Sequence, residues 1–231
     1  MFTQAISLGC NALDGLLRGG IERGEITLFY GEAATGKTTA AIQAAVLAAA
    51  KGLKVLFIDC DNSFTPQRFY QIGGNDAKSL TEQVMLFFPN TFEEQRTLVE
   101  SLDNYMTPNL GLVIIDSIST LYRIEFQRVD SVFNLNRDLT RQLAYLANLT
   151  LTKKTACLIT SQVRARIKSP GGQIEPVARR ALFHFPGTII RIQNSSNPRV
   201  REFILERLKG THTEGRCLVE ITERGLTNTS S

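Results

Sequence analysis

Gly31-Glu32-Ala33-Ala34-Thr35-Gly36-Lys37-Thr38 decides the fold. Its spacing is that of the phosphate-binding loop G-x-x-x-x-G-K-[ST]. An apolar run, Ile26 to Tyr30, precedes it and reads as a strand; an Ala-rich run, Thr39 to Ala50, follows and reads as a helix. Strand, loop and helix in that order are the context the motif requires. Gly31 and Gly36 allow backbone angles that a side chain would forbid. The loop amides can then turn inward as a nest for anionic oxygens, and the helix adds free N–H groups and partial positive charge at its start. Lys37 is expected at the β- and γ-phosphates as a point charge, and the Thr38 hydroxyl on Mg²⁺. Gly31, Glu32, Ala33, Ala34, Thr35, Gly36, Lys37, Thr38 and Thr39 thus form the candidate ATP-binding segment.

A second segment answers the first. Leu112-Val113-Ile114-Ile115-Asp116-Ser117 is a continuous apolar run ending in a carboxylate, the pattern of a strand buried on both faces. Ligands of open α/β sheets lie beyond the carboxyl ends of the strands. Asp116 is therefore expected to join Thr38 in holding the Mg²⁺ shell.

With 231 residues, 43% of them hydrophobic, the chain can build one sizeable α/β core. Met1 to Gly9 has neither the basic stretch nor the apolar core of a signal peptide. The longest apolar stretch, near Ala40–Ala50, is broken by Gln43 and too short to span a bilayer. The expectation is a cytoplasmic protein with no membrane partner. Cys10, Cys60, Cys157 and Cys217 are far apart and make no C-x-x-C pair, so they read as buried reduced thiols rather than zinc ligands. Residues 160–216 hold eleven Lys/Arg against four Asp/Glu, a local +7 in a chain of net +4. That asymmetry points to a polyanion-facing surface in the C-terminal third.

Strand-like runs recur at 26–30, 54–58, 84–88, 111–115 and 156–160, separated by helical stretches at 38–50, 92–104 and 130–152. Such alternation predicts βαβ units and a mostly parallel sheet. In the long helix, Val132, Leu135, Leu139, Leu143, Leu146 and Leu149 fall three and four apart, one core-facing stripe. Beyond residue 185 the runs 188–193, 201–208 and 217–222 read as shorter antiparallel strands attached to the same sheet. Residues 163–185 read as a long loop, functional or disordered, and 224–231 as a frayed terminus.

Together these segments resemble the core of the RecA-type recombinases. Ile6-Ser7-Leu8-Gly9 and Leu13 to Ile21 match the family's entry into the phosphate loop; Phe57-Ile58-Asp59-Cys60-Asp61 is similar to its second strand, and Thr160-Ser161-Gln162-Val163 to the strand whose Gln senses the γ-phosphate. Leu205 to His212 and Glu220 to Leu226 resemble the closing hairpin. Phe88 to Arg96 and Arg141-Gln142-Leu143 are similar to an archaeal paralogue of the family in particular. The resemblance runs from Ile6 to Leu226. It implies a single core over 1–231 without a separate N-terminal DNA-binding domain, and an ATP- and DNA-binding protein of recombination and repair.

Lys37, Asp61 and Gln162 are then the implied catalytic residues. The family typically has Glu where this chain has Asp61, so weak ATP hydrolysis is expected. The loop after the Gln-bearing strand contacts DNA in the family, which implies Arg164, Arg166, Lys168, Arg179 and Arg180 as backbone contacts with little sequence preference; Arg123 and Arg128 are a second candidate pair. Arg207 and Lys209 alternate with Leu208, so on a strand both would face one way, and in some relatives such a pair reaches the neighbouring subunit's ATP. Self-association and other repair proteins are the implied partners, with no long filament. Two other readings remain open: a KaiC-like signalling ATPase, and an ATP-bound adaptor that does not hydrolyse.

Overall fold

The computed structural model describes residues 5–128, 132–162 and 175–229. The elements run α1 (Asn11–Leu16), β1 (Ile26–Gly31), α2 (Lys37–Ala50), β2 (Lys54–Asp59), α3 (Pro66–Gly73), α4 (Ala77–Leu80), β3 (Val84–Phe87), α5 (Phe92–Glu100), β4 (Leu110–Asp116), α6 (Thr120–Phe126), α7 (Val132–Lys153), β5 (Ala156–Gln162), α8 (Glu175–His184), β6 (Thr188–Asn194), β7 (Val200–Leu208), β8 (Thr211–Thr222) and β9 (Gly225–Asn228). All the strands join one sheet in the order β3-β2-β4-β5-β1-β6-β7-β8-β9. Pairing is parallel from β3 to β6 and antiparallel from β6 to β9.

The period-2 alternation of the central strands feeds two cores. Phe29, Phe57, Leu112, Ile114 and Leu158 pack against the alanines of α2 on one face. Leu28, Leu56, Val113, Ile115 and Ile159 pack against α5, α6, α7 and α8 on the other. The α7 stripe is as expected from Leu135 onward: Leu135, Leu139, Leu143, Leu146 and Leu149 are buried, while Val132 at the helix start is only half-buried. Burying a leucine is worth about 1.5–3 kcal/mol, so this stripe fixes α7 across the sheet. Helix α5 starts at Thr91, whose hydroxyl accepts from Glu94 N–H (3.1 Å), while Glu94 accepts from Asn90 N–H (2.8 Å); these bonds satisfy amides at the helix start.

Two buried amides tie the layers together. Gln43 of α2, 4% exposed, donates through Nε2 to Leu8 O and to Leu226 O (3.0 Å), and its Oε1 accepts from Leu226 N–H. Gln95 of α5 donates to Ile118 O (3.2 Å) and to Gln142 Oε1 of α7 (2.9 Å).

Four expectations are corrected. Residues 175–184, read as loop, form α8. Residues 225–228, read as frayed, form β9 and pair with Val219–Thr222. The predicted helix over 92–104 ends at Glu100, and a separate 3₁₀ turn covers Leu102–Tyr105. Lys209 is not on a strand with Arg207: Lys209 and Gly210 have φ of +49° and +80°, the two positive angles of a tight hairpin turn. Lys209 there pairs with Glu22 (2.8 Å), whereas Arg207 donates to Phe183 O (2.7 Å) and Pro186 O (3.1 Å). The pair is split between two surroundings. Among the described residues no helix is long and apolar enough to cross a membrane.

Candidate nucleotide site

The phosphate loop leaves β1 at Gly31, which lies in register between Gln162 of β5 and Ile192 of β6. A Cβ on Gly31 would sit 2.1 Å from Ile192 O, and one on Gly36 would sit 2.5 Å from Ile221 Cδ1. Both glycines are therefore demanded by close approach of the antiparallel half of the sheet. Gly36 has φ +92° and, as N-cap of α2, supplies no side-chain cap. The first-turn amides of α2 are left free for an anion. The Lys37 ammonium lies inside the loop, donating to Gly31 O (3.1 Å), Glu32 O (2.6 Å) and Thr35 Oγ1 (3.3 Å). Burial pulls its pKa down, against the opposing pull of Asp116 and Asp61.

Asp59, fully buried at the end of β2, shapes the turn beyond it. Its carboxylate accepts from the N–H groups of Asp61 (3.2 Å), Ser63 (3.1 Å) and Phe64 (2.8 Å). That turn brings Ser63 Oγ within 3.2 Å of Asp116 Oδ2 and 3.4 Å of Thr38 Oγ1. The other Asp116 oxygen accepts from Thr160 of β5. Burial pushes the Asp116 carboxyl up, opposed by hydrogen bonds from Thr160 and Thr38 and reinforced by the charges of Asp61 and Asp59. Thr38, Ser63 and Asp116 thus present clustered oxygens beside an anion cradle, a donor set that suits a hard Mg²⁺ ion sharing its shell with phosphate and water.

Asp61 is solvent-exposed at the mouth of the cleft. Desolvation by its surroundings raises its carboxyl pKa and the Asp59 charge adds to this, while a Thr120 hydrogen bond, Lys37 and Arg123 oppose it. Gln162 ends β5, and its Oε1 accepts from Arg123 of α6 (3.2 Å). The fold therefore gathers Lys37, Thr38, Asp61, Asp116 and Gln162 at the carboxyl ends of β1, β2, β4 and β5, although they are as much as 125 positions apart in the chain.

Sequence reading missed Ser63, Thr120 and the placement of Arg123, because nothing in their local spacing foretells which strand end they will meet. It also missed the far wall. There Arg201 of β7 donates to Ala34 O in the loop (3.3 Å), and Arg68 of α3 donates to Thr222 O (2.8 Å) and Glu223 O (2.9 Å). Arg180 is exposed on α8; Arg164, Arg166, Lys168 and the side chain of Arg179 lie outside the described residues. A groove of about 910 Å³ on the outer face of β6–β8, lined by Arg191, Glu202, Glu206 and Arg216 among others, is separate from the phosphate loop.

Comparison with known proteins adds four findings. The family model described as Rad51 matches residues 3–227. The chain is similar to the DNA repair and recombination protein RadB of Methanococcoides burtonii, 36% identical over 186 residues that cover 80% of this chain and 81% of that protein. It is also similar to the protein of that name from Thermococcus gammatolerans, 33% identical over 97% of this chain and 99% of the relative. A crystal structure of the RadB recombinase superposes with a TM-score of 0.79 at 29% identity, over 97% of this chain and 100% of that chain.

Proposed function

The chain belongs to the Rad51 family, and from that premise we propose that it is an ATP- and DNA-binding accessory protein of recombination and repair, with slow Mg²⁺-dependent ATP hydrolysis. The observation that carries this reading is the convergence of Thr38, Ser63 and Asp116 oxygens beside the Lys37 loop, with Asp61 and Gln162 at the same strand ends.

The loop amides and Lys37 bind and orient the β- and γ-phosphates. Thr38 and Asp116 would hold Mg²⁺, which when bound would withdraw charge from the phosphate oxygens. Asp61 takes the proton of the attacking water at its carboxylate, and the raised pKa of that carboxyl makes it a better base. It is one methylene shorter than Glu, so its oxygen stands about 1.5 Å further back. A misplacement near 1 Å can lower a rate about 100-fold, which keeps hydrolysis slow. Gln162 meets the γ-phosphate at the base of the segment that carries Arg164, Arg166 and Lys168, and these, with Arg179 and Arg180, face the DNA backbone. The whole chain acts as a single core.

The test is fluorescence anisotropy with labelled single-stranded DNA, with and without ATP–Mg²⁺, over a salt series. Binding that tightens with nucleotide and weakens steeply with salt is expected, with a log–log slope of about 0.7 per phosphate neutralised. Arg164→Ala with Arg166→Ala should flatten that slope. No binding at low salt with ATP present would reject the DNA role and favour a signalling ATPase. DNA binding with no phosphate release would leave the adaptor reading.

A further inference from the structure

The Arg123–Gln162 contact has chemical content beyond its length. A guanidinium carries only donors. Accepting from Arg123 at 3.2 Å therefore fixes which way the Gln162 amide faces: oxygen toward α6, NH₂ on the opposite arm. Arg123 is half-buried, and α6 is itself anchored to the end of β4, where Ser117 Oγ and Thr120 Oγ1 lie 3.0 Å apart. Thr120 and Arg123 are three residues apart and share a helix face, and both act on the Asp61 carboxyl. One face of α6 thus touches both Asp61 and Gln162.

We propose that Arg123 is a positioning residue that sets the polarity of the Gln162 amide, so that Gln162 offers its NH₂, and not its oxygen, to the terminal phosphate of ATP. This rests on the reading above that Gln162 meets the γ-phosphate. An unanchored amide can turn over. In the turned state a carbonyl oxygen faces an anion, and the triphosphate loses its advantage over the diphosphate at this residue. The inference gives Arg123 a role inside the nucleotide site instead of the DNA contact that sequence alone allows.

The experiment measures the ratio of dissociation constants for ADP and for the non-hydrolysable triphosphate AMP-PNP, each with Mg²⁺, by titration of fluorescent analogues. Thermal melting checks that each variant is folded. Arg123→Lys keeps a charged donor and should hold the ratio within about threefold of wild type, while Arg123→Met should lower it about tenfold, the scale of one hydrogen bond to a charged group. Arg123→Glu, which pulls the NH₂ toward α6, should lower it further. If Arg123→Met fails to fold, Arg123→Gln, an uncharged donor, replaces it and should fall between Lys and Glu. Gln162→Ala sets the ratio without the amide, below which only the turned amide of Arg123→Glu can fall, and adding Arg123→Met to Gln162→Ala should cost nothing more. A full ratio in Arg123→Met alongside a lost one in Gln162→Ala overturns the proposal alone, as do losses that multiply in the double variant. A wild type that binds ADP and AMP-PNP alike, or that is indifferent to Gln162→Ala, removes the γ-phosphate reading and the proposal with it.

Discussion

Replacing Gln43 by Met tests how the two ends of the described chain are held to α2, the helix that follows the phosphate loop. Gln43 is 4% exposed and bonds to Leu8 O, Leu226 O and Leu226 N–H. Met has nearly the same length and volume and a flexible stem, so the substitution opens little cavity. What it removes is every polar partner of three main-chain groups. A buried group left without a partner costs about 1–3 kcal/mol. Gln43, Leu8 and Leu226 are at most 4% exposed, so three stranded groups, taken at the lower part of that range, give about 3–5 kcal/mol in all. For a chain of this size, 1 kcal/mol moves the melting midpoint by about 2–4 °C, so a fall of about 10 °C is expected.

The assay is calorimetry or circular dichroism without nucleotide, because ligand stabilises by mass action and would mask the loss. Urea unfolding of the same pair should shift the midpoint without changing the slope. A fall below about 3 °C would refute the reasoning: at the scale just used it would mean that water replaces all three bonds at little cost and that Gln43 is no clamp.

Gln95 and Gln142 are both fully buried, and Gln95 Oε1 and Gln142 Nε2 have no partner among the described residues. Gln95→Leu should lose about 2–3 kcal/mol by stranding both the Gln142 amide and the Ile118 carbonyl, while the double change to Leu removes the first of these and should lose only about 1–2 kcal/mol in a denaturant titration; additive losses would contradict this. Gly31→Ala puts a Cβ 2.1 Å from Ile192 O, and since both atoms belong to the sheet neither can yield. Calorimetric titration should find ATP affinity lowered more than about 100-fold, because the loop is displaced by the order of 1 Å; normal affinity would show that β1 and β6 can part. Burial raises the Glu25 carboxyl pKa and the Glu22 charge adds to this, against the Thr188 hydrogen bond and Lys209. The fold therefore prefers Glu25 protonated, and stability falls as pH rises from the usual carboxylate range through the raised value. Glu25→Gln should melt above wild type at about pH 7 and converge with it near about pH 4; a lower midpoint at neutral pH would reverse the sign.

The parallel half of the sheet was legible because its central strands β1, β2, β4 and β5 are buried on both faces and so read as nearly unbroken apolar runs. Its two site signals, the loop and Asp116, sit at strand ends where chain order and space coincide. The antiparallel half was harder. From His212 to Arg216 strand β8 alternates exposed and half-buried positions, so Thr, Glu and Arg are tolerated and no apolar pattern survives. The Lys209–Gly210 and Arg224–Gly225 pairs were the available hairpin signals. They fix where Lys209 leaves the strand and where β9 begins. Helix α3 also had its signal: Thr65 accepts from Arg68 N–H (3.3 Å) and Pro66 opens the helix. Ser63 and Arg123 had none, since their partners Asp116 and Gln162 lie 53 and 39 positions away.

The position of the phosphate loop at the seam between the two halves explains why both matter to the site. Gly31 has Gln162 on one side and Ile192 on the other. On the parallel side stand the groups that can act on a terminal phosphate. On the antiparallel side Ile221 abuts Gly36, and Arg201 holds the Ala34 carbonyl, where the backbone is left-handed at φ +60° without a glycine. A non-glycine residue keeps that angle only where its surroundings over-determine it, and here a cation from β7 supplies one of the constraints. Ile221 belongs to β8 and pairs with Leu226, the residue Gln43 clamps to α2, so the hairpin that bounds the loop is fastened to the helix the loop begins. Closing this circuit from loop to α2, to β9, to β8 and back to the loop requires the last strand. That makes β8 and β9 part of the support of the candidate nucleotide site.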